Sequence, residues 1–592
     1  MLDPSTVTVA AQTGIPVALR RVLFAALVAA VTGGALALAV LALSPGGLDA
    51  VDVVLLALYA IALPWLLIGV SVSIVGFCIM QLSRDPLAAT FPAAARIRGD
   101  EPIVATTALL ICIRNEAPER VTRNLAPLLE GLAAAGVGAR FHAYILSDTG
   151  DAALAAVEAA RLAAFAEQWR GRVAVTYRRR EHNTAFKAGN IADFCRQWGA
   201  DHDFALTLDA DSFMTADAVL RLVRIMQSDP KLGIVQSLVV GLPSTSAFAR
   251  LFQFGMRLGM RSYTIGSAWW QADCGPYWGH NALLRLAPFM AHCDLQAVAD
   301  GGQQILSHDQ IEAVLMRRAG YEVRVLPFED QSFEENPATL LEFIRRDLRW
   351  CQGNMQYWRL LFLPGIRPVS RYQLAFAILM FLGSPAWMAL LAIGTLKAAM
   401  TPNLADFIRP DAGLALFGVT LFMWASPKLA TFIDVMMRPK ERWSFGGTAR
   451  FVLSFACETT YSFLLTPLMW CGHTLFLARL PFRRTVGWAA QMRDDHAVPL
   501  GLACRALWPY TVLGVAVIAL LAVTHPAAIP YALPLAAGPA LSIPLAVITA
   551  RPAVGAALAR IGIGRLPEET AAPVAVAALA LPAIAAARPA SA

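Results

Sequence analysis

The chain has 592 residues, of which 57% are hydrophobic and only 15% are charged, and its mean hydropathy is +0.53. A water-soluble globule of this size could not bury so much apolar surface, so composition excludes a wholly soluble, a disordered or a disulfide-stapled protein. The net charge of +7 is compatible with nucleic acid, but basic residues beside long apolar runs favour a lipid bilayer as partner and no nucleic acid. Nine scattered cysteines without a CxxC pair indicate reduced, buried thiols.

Two apolar runs near the start are long enough to cross a bilayer, which takes roughly 20 helical residues. They are residues 22–43, preceded by Arg20 and Arg21, and residues 51–80, followed by Arg84. The positive-inside rule places the N-terminus and the chain after Arg84 in the cytoplasm. A cleaved signal peptide is the alternative, but its apolar core should span only about 7 to 15 residues.

Residues 93–368 concentrate the charge, and their apolar stretches shorten to strand and helix lengths, which predicts a soluble domain. Strand-like runs alternate with helical stretches at 121–135 and 152–168. The alternation predicts parallel βαβ units in a doubly wound, Rossmann-like α/β sheet, with its ligand at the carboxyl ends of the strands. The predicted strands are 107–113, 141–146, 173–177, 204–208 and 233–240.

Apolar runs return near the C-terminus. Counting each as one crossing would place Arg483, Arg484 and Arg493 outside, against the positive-inside rule. We therefore expect a break or re-entrant turn in the run that contains Glu458 and Pro467. The runs are 372–400, 414–437, 449–480, 507–523 and 529–548. The predicted division is 1–92 for an N-terminal segment with two transmembrane helices, 93–368 for the cytoplasmic domain with interfacial helices, 369–550 for C-terminal transmembrane helices and 551–592 for a tail or weak last crossing.

Aspartates follow two of the predicted strands. Asp148 follows AYILS, and Asp209 and Asp211 follow FALTL. Two carboxylates at this spacing can hold one hard divalent ion while pyrophosphate oxygens complete its coordination shell. Asp201 and Asp203 have the same spacing but precede their strand, so we assign them to a solvated turn.

Four further residues could contact a nucleotide. Asn115 and Glu116 follow the first strand, and Lys187 and Asn190 lie in FKAGN before a helical stretch. Each alone is typical of an ordinary loop end. Together they suit hydrogen bonding to a base and contact between a cation and phosphate.

Two motifs stand closer to the third apolar run, and each has two interpretations. Asp309 opens a helical stretch in LSHDQIEA, where a carboxylate serves as an N-cap or as a general base. Arg349 and Trp350 adjoin in RRDLRWCQGN. An Arg can pair with a leaving pyrophosphate and an indole can stack on a sugar, but an Arg-Trp pair is also a common anchor at a membrane edge.

The order of the strings RNEAPER, LSDTGD, HNTAFKAGN, LTLDADSFM, PYWGHNALLR, SHDQIEA and RRDLRWCQGN resembles membrane-integrated family 2 glycosyltransferases, which include cellulose synthases. The strings HNTAFKAGN, ADCGPYWGHN and RWCQGN more narrowly resemble the glucans biosynthesis glucosyltransferase H family, a likeness that extends over residues 19–548. The resemblance implies a GT-A fold, Mg²⁺ or Mn²⁺ as cofactor and UDP-glucose as donor. It also implies that the β-1,2-linked backbone of osmoregulated periplasmic glucans is made at the bacterial inner membrane and exported through the transmembrane helices.

The resemblance also implies roles for individual residues. It assigns donor binding to Asn115, Glu116, Asp148, Lys187, Asn190, Asp209 and Arg349, acceptor binding to Trp278, Gly279, His280 and Trp350, metal binding to Asp209 and Asp211, and the catalytic base to Asp309. Two positions depart from the cellulose synthases, because Arg346 replaces the Gln of their Gln-x-x-Arg-Trp motif and Trp278 replaces a Cys. The implied partners are the growing glucan chain, a periplasmic glucan-processing protein and acyl carrier protein.

These roles predict a single displacement with inversion, in which the base deprotonates the acceptor hydroxyl as it attacks the anomeric carbon. Four aromatic residues of the C-terminal runs are candidate sugar platforms in an export channel, although aromatic residues at helical spacing more often pack a core. They are Trp387, Trp424, Tyr461 and Trp470. The alternatives are glucosyl transfer to a polyprenyl phosphate, synthesis of another β-glucan, and a transporter or scaffold whose cytoplasmic domain senses nucleotide.

Overall fold

A computed structural model describes residues 15–298, 304–482 and 494–579 of the chain. The strands are β1 Thr107–Ile113, β2 Phe141–Ser147, β3 Ala174–Arg179, β4 Phe204–Asp209, β5 Ser212–Met214, β6 Leu232–Gly241, β7 Ala282–Arg285 and β8 Glu322–Glu334. They form one sheet in the order β3-β2-β1-β4-β7-β6-β8-β5. The five predicted strands are therefore confirmed, and β5, β7 and β8 are additional.

The sheet is mixed. β3, β2, β1 and β4 lie parallel to one another, whereas β7 runs antiparallel between β4 and β6, and β5 runs antiparallel at the edge beside β8. The sequence TALLICI of β1 is almost entirely apolar because helices cover both faces of this central strand. The predicted doubly wound α/β class is confirmed, with two antiparallel strands added.

Helices precede, surround and follow the sheet. Those up to the last strand are α1 Val17–Ala42, α2 Ala50–Ala62, α3 Pro64–Leu82, α4 Pro86–Thr90, α5 Pro92–Ala95, α6 Pro118–Ala134, α7 Ala152–Gln168, α8 Phe186–Trp198, α9 Ala216–Ser228, α10 Ala247–Gln271, α11 Leu286–His292, α12 Leu295–Val298 and α13 Asp309–Arg318. Those after it are α14 Leu340–Asn354, α15 Tyr357–Leu360, α16 Pro368–Met400, α17 Leu404–Phe407, α18 Pro410–Met437, α19 Pro439–Ser444, α20 Thr448–Arg479, α21 Leu500–Thr524, α22 Ile529–Ala540, α23 Ser542–Thr549 and α24 Pro552–Ile561.

Two apolar clusters sandwich the sheet. On one face, Leu109 of β1 packs with Leu129 of α6 and Val223 of α9. On the other face, Leu110 of β1 packs with Phe194 of α8. Each fully buried side chain of this size contributes about 1.5–3 kcal/mol, so the strands that carry the site residues stand on a rigid support.

Six helices within the described part of the chain are long and apolar enough to cross a membrane, and a seventh span is formed if the bent pair of α22 and α23 counts as one. The six lie at Val17–Ala42, Pro64–Leu82, Pro368–Met400, Pro410–Met437, Thr448–Phe482 and Leu500–Thr524. The apolar run at 51–80 consists of two helices, α2 and α3, joined at Leu63.

The expected break within residues 449–480 is wrong. α20 runs unbroken over this stretch with Pro467 inside it. Glu458 is accommodated by pairing instead, because Lys428 of α18 donates to its Oε1 at 2.6 Å. The break lies in the last run, where α22 and α23 meet at 55°. Arg483, Arg484 and Arg493, which motivated the expectation, lie outside the described residues.

The first and the last described segments contact α10 or the loop that follows it. Arg21, at the start of α1, lies 2.6 Å from Asp273. Beyond α24, Glu568 pairs with Arg257 of α10 at 2.6 Å, and Glu569 pairs with Arg250 at 2.8 Å. Of the predicted tail, residues 551–579 are described, and 580–592 lie outside the described residues.

Candidate active site

The strands that lead to Asn115, Asp148 and Asp209 end at one edge of the sheet, because they are parallel and in register. Ile113 of β1 lies opposite Ser147 of β2, and Cys112 lies opposite Asp209 at the end of β4. The loops that begin after β1 and β2 therefore leave the sheet beside Asp209. This edge is where an open α/β sheet binds its ligand.

Asp148 is held by an arginine that sequence reasoning missed. Arg180 donates from Nε to Asp148 Oδ1 at 2.7 Å and from Nη2 to Oδ2 at 2.8 Å, a bidentate pair. The same guanidinium donates to Asp193 and to the carbonyl oxygen of Phe186. Arg180 thus ties the end of β2 to the loop that leads into α8. The only sequence signal was a run of three arginines, which is also typical of a solvated strand end.

The predicted amide side chains bind the protein's own backbone. Asn115 adopts a left-handed conformation with φ of 52°, and its Oδ1 accepts from the Gly150 amide at 3.1 Å. Asn190 is buried and donates from Nδ2 to the Leu146 carbonyl at 3.0 Å, which joins α8 to β2. Glu116 follows Asn115 at the mouth of the same loop and is partly exposed. Contact of these three residues with a donor remains a prediction.

Lys187 connects the strand edge to residues 278–280, the predicted acceptor segment. Its Nζ donates both to Asp209 Oδ1 and, at 2.8 Å, to the carbonyl oxygen of Gly279. Burial acts to lower the pKa of Lys187, but the Asp209 carboxylate, with Cys112 and Asp309, raises it above the usual value. The ammonium group is therefore charged at neutral pH. It lies near a predicted metal ligand, Asp209, a predicted acceptor residue, Gly279, and the predicted base, Asp309.

Asp309 lies directly across from Gly279. A Cβ placed on Gly279 would be 3.3 Å from the Asp309 Cβ and 3.6 Å from its Oδ2. Asp309 is the first residue of α13, and His308 occupies the N-cap position, so the N-cap alternative for Asp309 is wrong. Burial acts to lower the pKa of His308, but Glu312 and Asp309 raise it. Within the described ranges, no donor is hydrogen-bonded to the Asp309 carboxylate, which leaves it available to a substrate hydroxyl.

The second aspartate of the pair adjoins further acidic groups. The backbone carbonyl of Asp211 accepts from the Glu335 amide at 3.1 Å, at the end of β8. Burial raises the pKa of the neighbouring Glu334, and Asp211 and Asp209 raise it further. His280 Nε2 lies 3.7 Å from Glu334 Oε2. The sequence offered no signal for Glu334, because β8 was not predicted.

This concentration of carboxylate charge fits a hard divalent cation, whose ligands are oxygens. Asp209 and Asp211 could supply two of them from the turn between β4 and β5. Across residues 15–298, 304–482 and 494–579, however, no three His, Cys, Asp or Glu side chains are grouped so as to hold a metal ion by themselves. A cation at this turn would therefore also need oxygens from a bound ligand or from water.

Hydrogen bonds from neighbouring residues hold the predicted acceptor segment. The backbone amide of Trp278 donates to Gln236 Oε1 at 2.8 Å, and the Tyr277 hydroxyl donates to the Gly279 carbonyl at 3.2 Å. Gly279 has a φ of 83°, which favours glycine, and His280 Nδ1 lies 3.4 Å from Ser212 Oγ. Gln236 and Tyr277 are supporting residues that the sequence did not single out.

The Arg-Trp motif lies on α14. Trp350 is 48% exposed, and the guanidinium of Arg346 lies 4.8 Å from the centre of its ring, a cation–π contact. Arg346 also donates to Asn336 Oδ1 at 3.1 Å and acts to lower the pKa of Glu334. Arg346, which replaces Gln in the motif, thus contacts the exposed indole of Trp350 and acts electrostatically on the Glu334 carboxylate. Arg349 is partly buried on the same helix.

The structure therefore brings Lys187, Asp209, Gly279 and Asp309 together. Asp148 is engaged by Arg180, and Asn190 is directed to the backbone of β2. This is a strand-edge site with a cation, a paired aspartate and a second aspartate whose carboxylate is not hydrogen-bonded within the described ranges.

Known proteins match almost the whole chain. Residues 110–292 match the family model described as Glycosyl transferase family 2, and residues 204–433 match Glycosyl transferase family group 2. A glucans biosynthesis glucosyltransferase H of Vibrio cholerae is 36% identical over 560 residues, which cover 90% of this chain and 75% of that protein. The chain belongs to the glucans biosynthesis glucosyltransferase H family.

The family resemblance of the motifs is thereby confirmed, and so is a family 2 glycosyltransferase with a GT-A α/β domain. A member of the family from Pseudomonas paraeruginosa is 35% identical over 520 residues, which cover 85% of this chain and 60% of that protein. Among solved structures, a mannosyltransferase from Pyrobaculum calidifontis in complex with GDP-Man and Mn²⁺ is 17% identical with a TM-score of 0.38, covering 62% of this chain and 96% of that one.

Proposed function

We propose that this member of the glucosyltransferase H family transfers glucose from UDP-glucose onto a growing glucan and makes the β-1,2-linked backbone of osmoregulated periplasmic glucans. The observation that carries the proposal is the approach of Asp309 to Gly279, whose carbonyl oxygen is bound by the same Lys187 that pairs with Asp209. The proposed base Asp309, the proposed acceptor residue Gly279 and the Lys187 cation therefore adjoin, which supports sugar transfer from a nucleotide.

On the donor side, Asp148 and the loops with Asn115, Glu116 and Asn190 would surround the uridine. Asp209 and Asp211 would hold Mg²⁺ or Mn²⁺ together with the diphosphate. The bound cation would supply positive charge that stabilises the leaving UDP. Lys187 lies beside Asp209 and adds a fixed positive charge close to the same oxygens.

On the acceptor side, Asp309 would accept the proton of the attacking hydroxyl. Trp278, Gly279 and His280 would line the acceptor, and Trp350 would offer the exposed face of its indole to a sugar ring. Attack from the side opposite the UDP inverts the anomeric carbon, so an α-linked donor yields a β-linked product. Arg349 would neutralise the leaving diphosphate.

The membrane helices would export the product, because a glucan cannot cross about 30 Å of hydrocarbon with its hydroxyls unpaired. Three of the four candidate platforms form one cluster, in which Trp387 and Trp470 stack at 5.1 Å and Trp424 lies 5.3 Å from Trp470. We propose that they form part of a glucan path in the bacterial inner membrane, with residues 93–368 in the cytoplasm, residues 369–550 in the membrane, and a periplasmic glucan-processing protein and acyl carrier protein as further partners.

The deciding experiment supplies purified protein in lipid with radiolabelled UDP-glucose and Mg²⁺ or Mn²⁺, and determines the linkage of the product. A water-soluble β-1,2-linked polymer supports the proposal. Label that partitions into organic solvent would indicate transfer to a polyprenyl phosphate, and another linkage would indicate a different β-glucan. Either result would overturn the proposed product.

A further inference from the structure

Asp347, His473 and Ser384 form a hydrogen-bonded chain between α14 and two of the long apolar helices, in which His473 and Ser384 are buried. His473 Nε2 of α20 is hydrogen-bonded to Asp347 Oδ2, and His473 Nδ1 lies 2.9 Å from Ser384 Oγ of α16. Neutral histidine satisfies both contacts when Nε2–H donates to Asp347 and Nδ1 accepts from the Ser384 hydroxyl. His473 is 7% exposed and Ser384 is 0% exposed.

The three residue types are those of a hydrolytic triad, but their arrangement is not. In a triad the serine bonds Nε2 and the aspartate bonds Nδ1, whereas here Ser384 bonds Nδ1 and Asp347 bonds Nε2. The serine hydroxyl is also fully buried, so no substrate reaches it. This hydrogen-bonded chain of three residues therefore has no role in nucleophilic attack.

Helix α14 is fixed on its other side by the segment that leads into Asp309. The Tyr357 hydroxyl, just beyond α14, donates to the Ser307 carbonyl at 2.9 Å, and Gln356 Oε1 accepts from the Leu306 amide at 2.8 Å. Gly353 faces Ser307 so closely that a Cβ has no room. α14 thus lies between the base-bearing segment and the apolar helices.

The apolar side of α14 packs against the same two helices. Cys351 packs against Phe381 of α16 and Phe476 of α20, contacts that are not directional and tolerate sliding. Two side-chain hydrogen bonds join α14 to these helices: His473 bonds Asp347, and Asn354 Nδ2 donates to the Ala377 carbonyl of α16 at 3.5 Å. The His473 ring also packs edge-on against Phe381 at 4.9 Å.

We propose that His473 is a positioning residue for the transfer reaction. By holding Asp347 on one ring nitrogen and Ser384 on the other, it fixes the rotation of α14 and so the place of Arg349 and Trp350 relative to Asp309. The inference rests on the proposed function for its effect on turnover, but the contact itself does not. It links the helices that would carry the glucan to the helix that would hold its acceptor end.

The test compares His473→Leu, which removes both hydrogen bonds, with His473→Gln, whose amide can still donate to Asp347. His525→Leu is the matched control, because His525 bonds only the Thr401 carbonyl at the end of α16. In lipid, we expect His473→Leu to lower turnover at saturating UDP-glucose at least tenfold while UDP affinity changes less than twofold. His473→Gln should restore most of the turnover, and His525→Leu should match the wild type.

A second readout needs no substrate. Deuterium exchange of the α14 amides should be faster in His473→Leu than in the wild type or the control, and near the wild-type rate in His473→Gln. Unchanged exchange, or a glutamine variant as impaired as the leucine variant, would overturn the inference.

If His473→Leu does not fold, Ser384→Ala, which removes one hydroxyl, should show the same two effects to a smaller degree. Wild-type behaviour of that variant would overturn the inference. A wild type that never uses UDP-glucose defeats the proposed function, while exchange still decides the role of His473.

Discussion

Gly279 and Asp309 contact each other so closely that a Cβ on the glycine would lie 3.3 Å from the Cβ of the aspartate. The two residues are 30 positions apart in the sequence, and they meet because Gly279 precedes β7 whereas Asp309 opens α13. The contact fixes the distance between the proposed acceptor segment and the proposed base.

Gly279→Ala should therefore lower turnover more than it lowers UDP affinity. The alanine is strained at a φ of 83°, by roughly 1–2 kcal/mol, and its methyl group displaces Asp309. The aspartate must give by a few tenths of an ångström. Because a displacement of about 1 Å can cost on the order of 10²-fold in rate, we expect a loss of roughly tenfold from this smaller shift. Gly171→Ala is the control, because Gly171 has a φ of 78° with no neighbour within 4 Å of the added Cβ. Equal kinetics for the two variants would contradict the proposed role of the contact.

Asp309→Asn should retain UDP binding and lose turnover by about 10² to 10⁴, the contribution of a positioned base. Asp151→Asn is the matched control. Asp151 caps α7 by accepting from the Leu154 amide at 2.9 Å, and asparagine caps a helix equally well. Initial rates and UDP titrations check both variants, and an active Asp309→Asn enzyme would remove Asp309 from the mechanism.

Asp211→Asn should weaken UDP binding only when a divalent ion is present, because it removes a negative oxygen that the cation would bind. UDP titrations with Mn²⁺ and with EDTA measure the difference. Asp201→Asn changes the other Asp-x-Asp pair, which lies exposed before β4, and should behave as the wild type. A loss for Asp211→Asn that persists in EDTA would argue against metal binding at this residue.

Arg257→Met should destabilise the protein by roughly 1–3 kcal/mol, because it removes the hydrogen-bonding partner of two half-buried carboxylates. Arg257 holds Glu329 of β8 and Glu568 of the C-terminal segment together. The control is Arg170→Met, since Arg170 is largely exposed and pairs with Glu167 on the surface, where an ion pair is worth at most about 1 kcal/mol. Thermal unfolding in detergent should show a lower Tm for Arg257→Met alone.

Much of the scaffold was predictable because its signals are local. The strand at 107–113 was predicted with its observed bounds, since an apolar run between polar loops depends only on neighbouring residues. β5 was missed because it has three residues, and β7 because it has four. α20 was misjudged because Glu458 is paired by Lys428, which lies 30 positions earlier in the sequence.

The sequence by itself determined the class of the protein. Its apolar runs, its aspartates at strand ends and the order of its motifs all depend on residue type and spacing, which need no coordinates. Only the tertiary structure decided which of those residues meet. Arg180 at Asp148, Gly279 at Asp309 and His473 at Asp347 join segments distant in sequence, and such contacts arise from packing, which no local pattern of residues specifies.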